Sequence, residues 1–254
     1  MLLEGVARNH VPVTNSIGLI DIDEAVAEAV KVAAEVIRMI KIKVGVDPRR
    51  DIEFVGAVRH AVGSAVALCV DANCGLPTPG DAIWPFRKME RHDLLYVEQP
   101  VAGLVRLAEV WRFIAVPVMA DESCWGPPDV IDIVRLGTAD IVSIYTTKLG
   151  GLYKGLAVAA TALVCNLNGS VETGVGNLAN VHLAAAAHAV TLSCVVPVSA
   201  PKQDLGDRIA GIYCCNNLLT RGLRFEDGAI VLPDSPGFGI NVDPEKIARY
   251  RIGN

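Results

Sequence analysis

Short apolar runs rich in Val and Ile alternate along this chain with longer stretches whose apolar positions recur at helical spacing. The short runs predict strands over Val11–Thr14, Ile40–Val44, Val66–Asp71, Leu94–Glu98, Pro117–Asp121, Asp140–Tyr145, Leu163–Asn168 and Thr191–Val196. The longer stretches predict helices over Asp23–Met39, Pro48–Val62, Pro79–Arg91, Val101–Phe113, Pro127–Leu136, Leu152–Thr161 and Val175–Ala189. Acidic residues between Asp21 and Glu24 complement the dipole at the start of the first helix. Eight strands with a helix in every gap predict an α/β fold, a (β/α)8 TIM-type barrel. The strands are short and apolar, as parallel strands covered by helices should be. The unit between the sixth and seventh strands looks shortened, since Ala159–Val164 leaves little room. From about Gln203 the pattern changes to Arg221-Gly222, Asp227-Gly228 and the turn-rich run Pro233–Gly239, with a short helix over Pro244–Tyr250. Residues 1–202 are therefore read as the barrel and 203–254 as a tail packing on it.

The polar residues of the strands carry the chemistry. Lys41 and Lys43 alternate with isoleucines, so both lysines share one face of their strand. Asp71, Glu98 and Asp121 end the next three strands, at intervals of 28, 27 and 23 residues from Lys43 onward. Each interval is about one strand-helix unit, so neighbouring strand ends bring three carboxylates together. Such a cluster repels itself unless protons or a cation intervene. A helix N-cap accounts for one acid after one strand. It does not account for three in succession behind a lysine pair. Oxygen ligands without His or Cys favour Mg²⁺, with Mn²⁺ as the alternative, over zinc.

Composition excludes several other classes. The 254 residues suffice for one large domain, and just over half are hydrophobic. A net charge of −5 with no basic block gives no support to nucleic-acid or membrane-surface binding. The seven cysteines are odd in number and lack C-x-x-C spacing, which suits a reduced, cytoplasmic setting. The adjacent Cys214 and Cys215 are read as ordinary thiols rather than a redox or metal pair. The start of the chain has no basic region of a signal peptide. The most apolar stretch, Leu183–Ala200, reads as a helix followed by a strand rather than a membrane span.

Six stretches together resemble the mandelate racemase and muconate lactonizing branch of the enolase superfamily. They are Lys41-Ile42-Lys43-Val44-Gly45, Val70-Asp71-Ala72-Asn73, Val97-Glu98-Gln99-Pro100, Ala120-Asp121-Glu122-Ser123, Gly150-Gly151 and Glu172-Thr173-Gly174-Val175-Gly176. The resemblance runs from about Val11 to the C-terminus. It implies removal of the proton α to a carboxylate through an enediolate stabilised by Mg²⁺. Asp71, Glu98 and Asp121 would hold the metal, Lys43 would be the base, and Lys41 would support it and contact the substrate carboxylate. Asn73 and Glu122 would stand behind them. A lysine in a cationic, partly desolvated site can act as such a base.

Four features depart from that pattern. Tyr145 stands five residues before Gly150, where many relatives carry a second lysine, so racemisation by two lysines is not expected; Tyr145 would donate a proton or orient the substrate, with Lys148, three residues later, filling in from the loop as the alternative. No His ends the seventh strand, and no acid lies in the eighth, which disfavours a dipeptide epimerase. About ten residues precede the first strand, so the family's N-terminal capping domain is expected to be missing. Apolar surface left at the barrel mouth would then favour a homo-oligomer. The activity implied is a muconate cycloisomerase-like isomerase or lyase on a small carboxylate substrate. A dehydratase of hydroxy or amino acids is one alternative. A metal-binding remnant without turnover, or a chain completed by a partner, are the others.

Overall fold

The computed structural model describes residues 3, 5–162, 164–170, 172–196 and 217–252. The described elements run β1 (His10–Pro12), β2 (Asn15–Ile17), α1 (Ile22–Ala34), β3 (Met39–Lys43), α2 (Pro48–Val62), β4 (Ala67–Asp71), α3 (Pro79–Met89), β5 (Leu94–Glu98), α4 (Leu104–Phe113), β6 (Val118–Ala120) and α5 (Pro127–Leu136). After these come β7 (Ile141–Ile144), α6 (Thr146–Leu149), α7 (Leu152–Thr161), β8 (Cys165–Leu167), α8 (Gly174–Ala186), β9 (Phe225–Glu226), β10 (Ala229–Val231) and α9 (Pro244–Tyr250). Strands β2 to β8 form one parallel sheet in chain order. Isolated parallel bridges, Val190 to Cys165 and Cys194 to Val13, join its two edges through an eighth segment. The TIM-type barrel read from the sequence is therefore the fold.

The period-2 pattern of each strand sorts side chains into two cores. Ile40, Ile42, Val70, Val97, Val118, Ala120, Val142, Ile144 and Leu167 face outward and pack with helix residues such as Phe54 and Phe86. Met39, Cys69, Tyr96, Met119 and Ile141 form a separate cluster inside the barrel. Lys41 and Lys43 share parity with Met39, Asp71 with Cys69, Glu98 with Tyr96, and Asp121 with Met119. The inner apolar plug is thus the floor on which the charged residues stand.

Several predicted boundaries are corrected. The first barrel strand is β2, not Val11–Thr14. Residues His10–Pro12 instead pair antiparallel with β10, which in turn pairs with β9. The buried polar residues Thr14, Asn15 and Ser16 hid the true strand from an apolar reading. Helix α1 ends at Ala34, not Met39, because Val36 adopts a φ of 67° and turns the chain toward β3. Helix α4 starts three residues later than Val101, after Gly103. The eighth strand, expected over Thr191–Val196, forms isolated parallel bridges, Val190 to Cys165 and Cys194 to Val13, in place of a continuous ladder. The shortness beyond the sixth strand lies in the link 162–164, since α7 has the same ten residues as α4 and α5. Leu163, the start of the tail at Gln203, and Cys214 and Cys215 lie outside the described residues. Helix α9 falls where predicted, and Asp227-Gly228 forms the β9–β10 turn.

One glycine matters to the site. Gly45 follows β3 with a φ of +100°, and a Cβ there would sit 3.0 Å from the Ala72 carbonyl oxygen. Its amide donates to Asp51 Oδ2 at 2.7 Å, tying the end of β3 to α2. Gly45→Ala combines an unfavourable φ with a backbone contact, so a loss of about 1–3 kcal/mol is expected in urea unfolding. An unchanged midpoint would refute the strain.

Candidate active site

Strand register brings the polar residues to one end of the barrel. Lys43 pairs in register with Asp71, and Asp71 with Glu98. Glu98 pairs with Met119, so Asp121 stands two residues further along the same face. All three acids are almost fully buried. Lys41, its side chain 2% exposed, lies between two of them, with Nζ 3.2 Å from Asp71 Oδ2 and 3.1 Å from Glu98 Oε2. Lys43, 23% exposed, reaches Asp71 Oδ2 at 2.6 Å from the mouth side. It also donates to Asn73 Oδ1 at 2.5 Å. Lys148 Nζ donates to Asp121 Oδ1 at 2.6 Å, and to the backbone oxygens of Asp121 at 2.8 Å and Ser143 at 3.2 Å. The same Nζ lies 5.1 Å from the centre of the Tyr145 ring.

These contacts set the ionisation states. Burial would lower the Lys41 pKa, but Glu98 and Asp71 outweigh it and hold the ammonium well above its ordinary range. Burial would raise the Asp71 pKa, but Lys41, Lys43 and the Asn73 amide bring it down. Glu98 goes up, first through burial and then through the charge of Asp71, against the pull of Lys41. Burial followed by Asp121 likewise raises Glu122. Tyr145 is pushed far up by burial and then by Asp121, so its phenol keeps its proton.

A second ring of neutral groups fixes the charged ones. Gln99, at a φ of 35°, accepts from the amides of Asp121 and Ser123 at 2.9 and 3.1 Å. Its amide nitrogen donates to Val101 O and Ser123 Oγ, both at 2.8 Å. It thereby pins the loop that carries Asp121. Asn168 Nδ2 donates to Glu98 Oε1 at 2.6 Å and to Ser143 Oγ at 2.8 Å. Asn180 on α8 accepts from Thr146 and donates to the Asn168 carbonyl. Asn73 Nδ2 donates to Glu122 Oε1 at 3.0 Å. Sequence reasoning named Asn73 and Glu122 but missed Asn168, Asn180 and the brace made by Gln99. The alternation of Asn166 and Asn168 in Cys165-Asn166-Leu167-Asn168 was a signal that both face inward.

The donor set fits a hard divalent cation: three carboxylates from consecutive strand ends, without His or Cys. A further oxygen, Glu122 Oε2, is buried without a hydrogen-bond partner. Ammonium groups cap the facing oxygens in this geometry. Among the described residues no three His, Cys, Asp or Glu side chains form a ready-made ion cage. A cleft of about 900 Å³ lies elsewhere, between the N-terminal residues, α8 and Pro233–Phe238, with mainly apolar walls. None of the charged strand-end residues lines it.

Residues 24–246 match the family described as Enolase C-terminal domain-like. The chain belongs to the enolase superfamily. Within it, this member falls in the mandelate racemase and muconate lactonizing family. It is 30% identical over 258 residues to muconate cycloisomerase 1 of Rhodococcus opacus, covering 98% of this chain and 65% of that protein. It is 32% identical over 246 residues to an L-Ala-D/L-Glu epimerase of Clostridium acetobutylicum, covering 94% and 65%. A solved dipeptide epimerase from Enterococcus faecalis, complexed with Mg and the dipeptide L-Leu-L-Tyr, superposes with a TM-score of 0.82 at 29% identity, covering 94% of this chain and 66% of that one. This enolase-superfamily chain thus spans about 65% of the length of the curated relatives it matches. Among its described residues no helix is long and apolar enough to cross a membrane.

Proposed function

We propose that this chain removes the proton α to the carboxylate of a small acid, with Lys43 as base and Asp71, Glu98 and Asp121 holding one Mg²⁺ or Mn²⁺. The observation that carries this reading is the interleaving of Lys41, Lys43 and Lys148 with those three acids at adjoining strand ends. When bound, the cation supplies positive charge that stabilises the dianion left by loss of an α-proton. Lys43 is the strand lysine that reaches the mouth, so its Nζ takes and holds the proton. Lys41 stays protonated beneath it as a fixed cation. Gln99 and Asn168 keep Asp121 and Glu98 from swinging away. With Lys43 neutral, as a base must be, a divalent cation leaves the cluster of lysines and acids one positive charge. A single substrate carboxylate neutralises it. Among relatives of this kind, a muconate cycloisomerase-like isomerisation is favoured over dehydration of a hydroxy or amino acid.

A second reading, a metal-binding chain without turnover, draws on the ammonium groups that cap the acids. One pair of measurements separates the two. Mn²⁺ affinity, read by water-proton relaxation, is expected to fall roughly 10–100-fold or more in Asp121→Asn. Exchange of α-protons in D₂O with Mg²⁺, followed by NMR on small chiral carboxylates, is expected in the native chain. Binding without exchange supports the second reading, and an Asp121→Asn variant with native Mn²⁺ affinity removes both.

The five described cysteines are free thiols, which suits a reducing, cytoplasmic environment. Val105 on α4 and Val134 on α5 are 78% and 69% exposed on neighbouring helices, which supports self-association. Sedimentation is expected to show a dimer or larger, shifting toward monomer in the double variant Val105→Glu, Val134→Glu. A native monomer would dismiss the idea.

A further inference from the structure

Resting on the reading of Lys43 as base, we infer that the opposite face of the site offers, among the described residues, a hydroxyl and no second base. Tyr145 meets the substrate there as a hydrogen-bond donor. Lys148 is a positioning residue for Asp121. α-Proton traffic is therefore one-handed.

The sheet order sets the two faces. β3 and β7 are four positions apart in a barrel of eight, so the side chains at their ends look at one another across the mouth. Lys43 ends β3 and Tyr145 directly follows β7. Ser143 faces inward in register with Asn166, and Tyr145 shares its parity. The Tyr145 ring lies 5.1 Å from Lys148 Nζ, which is itself bonded to Asp121.

Lys148 is the other basic group on that side, and its hydrogens are spent. An ammonium has three N–H donors and no acceptor. Those of Lys148 go to Asp121 Oδ1, Asp121 O and Ser143 O. Two of these three acceptors are backbone oxygens, so the chain paths of β6 and β7 themselves hold Nζ in place. Lys148 clamps the end of β6 to β7. Tyr145 is the reverse case: its hydroxyl takes part in none of the hydrogen bonds of the described residues. Its one free O–H is open to a ligand.

Exchange then needs only the Lys43 side. The neutral amine takes the α-proton, and the C–H electron pair moves into the substrate carboxylate. The resulting ammonium trades hydrogen for deuterium with solvent and returns a deuteron to the same face. No oxidant or other reactant enters, and configuration is kept.

The test uses the full chain with Mg²⁺ in D₂O and four probes: L-Ala-L-Glu, L-Ala-D-Glu, and the L and D forms of N-succinylarginine. NMR reads deuterium at Cα of each. The expected result is exchange of one hand of a pair, the other at least roughly tenfold slower. Tyr145→Phe should raise KM for the active hand about tenfold and leave the other silent. Tyr145→Lys should switch on exchange of the silent hand. Lys148→Arg, which still has N–H groups to clamp Asp121, should keep one-handed exchange. Lys148→Met should slow the active hand without changing which hand exchanges, its fold checked by circular dichroism. Comparable exchange of both hands, with one lost selectively in Lys148→Met or Tyr145→Phe, makes that residue a base and overturns the inference alone. Exchange of neither hand with every probe overturns the underlying role of Lys43, and this inference with it.

Discussion

Replacing Lys43 with alanine is expected to lower α-proton exchange by about 10²–10⁴-fold, the range over which a positioned base accelerates proton transfer. The reasoning starts from its neighbours. Lys43 Nζ bonds Asp71 Oδ2 and Asn73 Oδ1, and its side chain is partly exposed at the mouth. Removing it leaves Asp71 with its Lys41 contact and the Asn73 amide, so no acid becomes stranded. The fold should therefore survive, and the loss should fall on the rate. Lys43→Arg sharpens the test, because arginine keeps the charge and cannot be deprotonated at working pH. If charge alone mattered, arginine would restore exchange. If the base matters, arginine is as inactive as alanine. Exchange within threefold of native in both variants would remove Lys43 from the chemistry.

Much of this fold could be read from hydrophobic period alone, for a physical reason. Parallel strands under helices carry outward apolar residues at every second position, and the interior plug adds the alternate ones. Ile40, Ile42 and Val70 on one side, Met39 and Cys69 on the other, made β3 and β4 conspicuous. β2 escaped because Ser16 is its inward residue, buried Thr14 precedes it, and Asn15 on the outer face bonds Glu28 at 2.9 Å. An apolar filter cannot see a strand whose buried residues are polar. The starts of α2 and α3 were legible at Pro48 and Pro79, where Asp47 and the Thr78–Asp81 pair cap the helices. The end of α1 was not, because Ile37 and Met39 continue an apolar spacing past the turn at Val36. At the site, the charged residues announced themselves by position at strand ends. Their neutral supports did not: Asn168 and Asn180 meet only after two strands and a helix are folded together. Lys148 could be named from sequence, but whether its ammonium was free or engaged depended on where Asp121 and Ser143 arrive.

Lys41→Met is expected to be the most destabilising single change in the site, and one that divalent cations partly reverse. Lys41 is completely enclosed, and its ammonium lies within 3.2 Å of both Asp71 and Glu98. Methionine fills similar volume but carries no charge, so two buried acids lose a shared partner. Breaking a buried pair in this way costs about 3–5 kcal/mol, because the remaining charge is left uncompensated. Lys43 still reaches Asp71, but Glu98 is left with the neutral donor Asn168. Its carboxyl, already pushed up by burial and then by Asp71, then loses the attraction of Lys41. A cation held by the same acids supplies what methionine removed. It binds the folded chain and not the unfolded one, so stability rises with the ratio of free cation to its dissociation constant. Urea unfolding with EDTA should therefore show the full loss, and unfolding with saturating Mg²⁺ a smaller one. The gain from Mg²⁺ should be larger in Lys41→Met than in the native chain, where the ammonium competes for the same oxygens. Equal gains in both would mean that the cation and Lys41 do not share acids. Asp71, Glu98 and Asp121 would then be a lysine-paired cluster and not a metal site.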